Sequence, residues 1–141
     1  MFSGIRPKAV LIGIVADIGA TYLVMAVLMV SLGAGARDIS EEEARQLIES
    51  AFQQPSYLLL SGVLGLLATC LGGFVAAKVA TVAPLLNAAC VGLFDLVLGI
   101  LLIGDAPLWF TVIALLLTLP AAIIGGVLWR RGYRDNPRAR E

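Results

Sequence analysis

Two carboxylates stand where a carboxylate is expensive. Asp17 and Asp95 each fall inside an apolar run of the chain, and an ionisable side chain at the centre of a bilayer costs at least about 2.5 kcal/mol. Counted at about 1.5 Å per helical residue, Asp17 lies about 13 Å from Lys8 and Asp95 about 16 Å from Pro84, so both reach similar depth. Thr21 follows Asp17 by one helical turn, and Asn87 shares the Asp95 face two turns away. Asp17, Asp95, Asn87 and Thr21 therefore make a candidate proton or cation site, since two carboxyls sharing one site oppose each other's ionisation. The other reading is that each aspartate, neutral or hydrogen-bonded, fixes helix packing within the bundle or against another subunit.

Other chemistry has little to build on. Histidine is absent, which removes the commonest metal ligand, the usual general base and any bis-His haem site. Cys70 and Cys90 both lie in apolar runs without the partners a zinc or iron–sulfur site needs, and read as small buried hydrophobes. No cofactor is expected. G-x-S-x-G and P-loop motifs are lacking. An aspartyl hydrolase would use a close Asp pair, but its flanking motifs are missing too. The expectation is a non-enzymatic protein.

The elements that carry these residues are long and apolar. Of 141 residues 60% are hydrophobic and 14% charged, with a mean hydropathy of +0.95, against about 45–50% and about 25% in soluble domains. Four runs account for the excess, at about 8–32, 56–79, 84–103 and 108–129, each near the length that spans a bilayer. They leave no room for a separate soluble domain, so 1–141 reads as one integral membrane domain. Arg6 and Lys8 before the first run, with Ala34-Gly35-Ala36 after it, suggest a signal peptide. The run is too long for a signal h-region, so it reads as an uncleaved span. Pro120 predicts a kink in the fourth, and 130–141 is a polar tail.

Residues 37–54 form the main polar segment, with an amphipathic helix expected over 40–54. Ser40 and Glu43 make a capping box, and Ala44, Leu47, Ile48, Ala51 and Phe52 recur at helical spacing. This amphipathic helix would lie on the bilayer surface or dock on a partner through Leu47, Ile48 and Phe52, and its acidic polar face favours protein contact. With the N-terminus inside, Arg6, Lys8, Lys78, Arg130, Arg131, Arg134, Arg138 and Arg140 share the cytoplasmic side, leaving Arg37 and Arg45 outside. That bias predicts cytoplasmic termini and an external acidic helix. Tyr57 and Trp109 would then mark the outer interface, Trp129 and Tyr133 the inner one. Zero net charge gives no argument for nucleic acid.

A repeat underlies the spans. The second and fourth begin with Pro55-Ser-Tyr and Pro107-Leu-Trp and end with Gly72-Gly73 and Gly125-Gly126. Aligned so, Ser61, Gly65, Thr69 and Gly73 fall on Ala114, Thr118, Ala122 and Gly126, a small-residue ladder suited to close helix packing. The first and third spans align more weakly, with Asp17 on Asp95. Two helical hairpins in parallel orientation, related by a pseudo-twofold axis along the membrane normal, would follow.

The run from Gly72 through Gly73, Phe74 and Ala76 to Lys78 resembles a Gly-Gly-aromatic-x-Ala-x-Lys/Arg pattern ending the second helix of uncharacterised small four-helix bacterial membrane proteins. In that pattern a histidine is expected where this chain has Asn87. The resemblance implies a bacterial inner-membrane location and brings no activity with it. The sequence thus predicts an all-α, polytopic four-helix membrane bundle with one short external helix. It would act as a homo-oligomer or as an accessory subunit of a membrane complex. The alternative is a small transporter or channel subunit in which Asp17 and Asp95 bind a proton or cation. A bundle this thin predicts little room for a substrate cavity in one copy.

Overall fold

A computed structural model describes residues 4–31, 40–102 and 106–134, with the side chains of Phe52 and Arg134 outside that description. Five helices follow one another: α1 (Pro7–Ser31), α2 (Glu41–Phe52), α3 (Pro55–Val79), α4 (Pro84–Leu101) and α5 (Leu108–Arg134). Proline opens α1, α3 and α4, where its missing N–H is one of the groups left unbonded anyway and its fixed φ suits the first turn. Helices α1, α3, α4 and α5 are each long and apolar enough to cross a membrane. This is a multi-pass integral membrane helical bundle. The turn through Gly104 and Asp105, the Ala34–Ala36 segment and the tail beyond Arg134 lie outside the described residues.

Helix α3 is the centre of the packing, lying against α5 and α1 most extensively and against α4 as well. Lipid tails are as apolar as leucine, so helices in a bilayer associate through close backbone approach. The glycines make that approach possible. Gly73 lies against the Ala122 backbone and Gly125 against the Cys70 carbonyl, with no space for a side chain at either. On the other side of α3, a Cβ added to Gly72 would sit 2.6 Å from the Asp17 Cβ. Both cysteines are free thiols.

Packing is uneven along the bundle axis. Gly4 faces Ala83, and Arg130 shares a cleft with Ala83 to Leu86. The N-terminal segment, the α3–α4 joint and the end of α5 therefore occupy one end. Ala9, Ala76, Ala77, Ala88, Val91 and Ala122 are all buried in the half nearest that end. Toward the opposite end, buried apolar residues are fewer, and α2 caps a cluster of Leu28, Ala51 and Tyr57 with Val24 and Leu64 packed beside it.

Several details differ from the sequence reading. Helix α5 does not stop at Trp129 but continues to Arg134. There Trp129 stacks on Tyr133 at 5.8 Å and meets Phe74 edge-on at 5.7 Å, with Lys78 Nζ 5.9 Å from the Trp129 ring. This aromatic contact across α3 and α5 holds the last turns in register. Tyr57, near the start of α3, is covered by α2 and packs with Leu28 and Ala51. The α2 stripe also divides: Ala51 is buried and Ile48 half-buried, whereas Leu47 is 39% exposed. Part of the face assigned to a partner is thus covered by the chain's own bundle.

The repeat is partly visible. Helices α1 and α3 pack as α4 and α5 do, with α3 against α5 between the pairs. The equivalence fails elsewhere, because α3 packs along α4 while α1 and α5 share at most a marginal contact. The tight joint between Val79 and Pro84 draws α3 and α4 together, and no such joint links α1 to α5.

Candidate functional site

The two aspartates meet. The side chains of Asp17 of α1 and Asp95 of α4 are neighbours, and Thr69 of α3 is a further neighbour of Asp17. Asp17 is 6% exposed, because its Cβ rests on Gly72 where α1 and α3 come closest. Asp17 Oδ1 and Asp95 Oδ2 are buried and have no hydrogen-bond donor among the described residues. A carboxylate accepts and cannot donate, so these two groups bond to each other only when one proton lies between them.

A cavity of about 220 Å³ adjoins the pair, lined by Thr21, Gly62, Gly65, Thr69, Asp95 and Thr118 among others. It draws residues from all four spans and lies on the less tightly packed side of the carboxyls. Thr118 Oγ1 donates to its own Ala114 carbonyl at 2.8 Å, which leaves oxygen lone pairs as what it can present to the cavity. Gly65 has open space where a Cβ would be. The small-residue ladder therefore does two jobs. Gly73 and Gly126 pack helix on helix, but Gly65, Thr69 and Thr118 line the cavity. Ser61 is half-buried and donates to the Leu58 carbonyl at 3.0 Å.

Asn87 does not belong to this site. It is fully buried and staples the N-terminal segment to the α3–α4 joint. Its Oδ1 accepts from the Arg6 amide at 2.7 Å, and its Nδ2 reaches the carbonyls of Gly4, Val82 and Ala83 at 3.0, 3.1 and 3.0 Å. Ala83 has φ 48° and ψ 57°, a left-handed conformation that costs a non-glycine residue about 1–2 kcal/mol. The Asn87 amide holds it there. Sharing a helix face with Asp95 was a true signal about register and a misleading one about role, since two turns separate the groups. No sequence motif marked the cavity or the left-handed Ala83.

At the opposite end the capping box forms as the Ser40 and Glu43 spacing requires. Ser40 N–H donates to Glu43 Oε2 at 2.8 Å and Glu43 N–H to Ser40 Oγ at 3.2 Å. The Ser40 amide, and then its hydroxyl, hold the Glu43 carboxyl below its ordinary range. Comparison with protein-family models, curated proteins and solved structures finds no match to this chain.

Proposed function

We propose that this protein is a small membrane transport protein that binds and releases protons at the Asp17–Asp95 pair. One observation carries the reading: the two aspartates that the internal repeat aligns come together midway along two apolar helices, beside a cavity, each with a buried oxygen that no donor among the described residues meets. A purely architectural polar contact would be expected to satisfy its buried atoms. In this reading the protein is non-enzymatic, and the basic residues at the chain ends and at Lys78 favour cytoplasmic termini, which turns the cavity toward the exterior.

The test is proton flux. Purified full-length protein in phospholipid vesicles should dissipate an imposed pH gradient. Asp17→Asn and Asp95→Asn should each lower the rate at least tenfold while the helical circular dichroism is unchanged. Flux that survives both substitutions in folded protein would return the pair to a packing role.

A second reading is favoured by α2. Its outer face keeps Leu47, Glu41, Glu42 and Glu49 exposed, a surface suited to a basic partner protein. In that reading the chain is an accessory subunit or a homo-oligomer. The mass of the native assembly extracted in mild detergent distinguishes the two, since an accessory subunit would carry a second protein in fixed ratio.

A further inference from the structure

We infer that the cavity beside the aspartate pair is a binding site for a monovalent metal cation that exchanges with a proton. The inference rests on the transport reading above and names its second substrate.

The lining decides the charge of the ligand. Asp95 contributes carboxylate oxygen and Thr69, Thr21 and Thr118 contribute hydroxyls, with the Thr118 hydrogen already given to Ala114. Oxygen donors of this kind suit hard cations. Among the described residues no basic side chain lines the cavity. Lys8 stands at one end of α1, Lys78 at the end of α3, and Arg130 and Arg131 near the end of α5. Tyr22 on α1, Tyr57 and Cys70 on α3, Cys90 on α4 and Tyr133 on α5 are the other titratable groups of the packed helices, and none is in the lining. The second mark is Asp17, which lies against the lining residues Asp95 and Thr69, with its Oδ1 buried and without a hydrogen-bond partner among the described residues.

The lining then favours a single charge on the ion. The pair holding one shared proton carries one negative charge. It becomes neutral on taking either a second proton or one monovalent cation. A divalent ion would have to displace both protons of the pair, whereas the lining presents a single carboxylate, Asp95, with neutral hydroxyls around it, and among the described residues no group of three histidine, cysteine, aspartate or glutamate side chains is present to hold such an ion. The cavity of about 220 Å³ exceeds a bare ion and accommodates one with part of its hydration, each water taking about 30 Å³. Because the two loaded states have equal charge, exchange is one cation for one proton and moves no net charge.

The experiment uses full-length protein in vesicles loaded with sodium chloride and diluted into choline chloride, with a lumenal pH dye and the membrane potential clamped by potassium and valinomycin. Sodium efflux should acidify the lumen, at a rate that does not change with the clamped potential. Thr118→Val should raise the half-saturating sodium concentration about tenfold, and Thr118→Ser, which keeps the hydroxyl, should restore it. Dissipation of a pH gradient that is indifferent to sodium, potassium and lithium would overturn the cation site and leave proton transport standing. Exchange whose rate follows the membrane potential would overturn the one-for-one balance. Absence of any proton movement in the wild-type protein would overturn both proposals.

Discussion

Asn87 and the Asp17–Asp95 pair are both buried polar groups in a bilayer-spanning bundle, and they are treated in opposite ways. Asn87 spends its donor and acceptor capacity on four backbone partners and fixes the geometry of one end. The aspartates have each other, a threonine and two buried oxygens without donors. Buried polar networks rigidify when fully satisfied and are costly when they are not. The first is therefore an architectural device and the second a site held ready for something the chain does not itself supply.

The widest gap between them should appear in stability. Asn87→Leu keeps the branched shape but is bulkier, removes four hydrogen bonds and strands carbonyls that the bundle end encloses. It should cost about 3 kcal/mol or more in denaturant unfolding from detergent micelles. Asp17→Asn should cost under about 1 kcal/mol in the same assay, or stabilise, because its amide gives Asp95 a donor without needing a proton. Equal losses for the two would break the comparison.

The packed and open halves of the bundle extend the contrast to apolar contacts. Gly125→Ala drives a methyl into the Cys70 carbonyl and should cost about 1–3 kcal/mol through forced separation of α3 and α5. Gly65→Ala meets open space and should be neutral or stabilise by up to about 1 kcal/mol, the helix-propensity gain of alanine over glycine. Thermal unfolding of the two variants side by side measures the difference between a crossing point and a cavity wall.

This contrast also locates what could be read from sequence. The spans were legible because apolar runs of this length have few other uses, and the α2 start was legible because Ser40 and Glu43 are local. That Asp17 and Asp95 deserved pairing was visible in the repeat. Their meeting depended on how α1 and α4 rotate about α3, which is set by contacts such as Gly72 against Asp17 that no local pattern encodes. Asn87 was misplaced for the same reason. Its partners Gly4 and Arg6 are distant in sequence, and helix-face spacing says nothing about them. The ladder failed differently: i, i+4 small residues specify that helices can approach, not where along their length they part.

Glu43 supplies the smallest and sharpest contrast, a carboxylate with donors in full. The Ser40 amide and hydroxyl face it, so it is at rest as an anion, unlike a pair that bonds only through a proton. Its folded-state value lies below the ordinary glutamate value of 4.5. The stabilisation it brings to the start of α2 is therefore complete above that ordinary value and is lost as pH falls through the lower, folded one. Amide hydrogen exchange over the first turn of α2, corrected for the intrinsic rate, should be level from neutral pH down to about 5 and lose protection below the ordinary glutamate range. Glu43→Gln should make that protection independent of acid, since glutamine fills the same capping position uncharged. The change should be confined to α2, because the group is fully exposed and the bundle below it is held by glycine crossings that carry no charge. Acid sensitivity that instead spread to α1 and α4 would mean that α2, through Ala51 on Leu28 and Tyr57, governs the half of the bundle in which the aspartates' cavity opens.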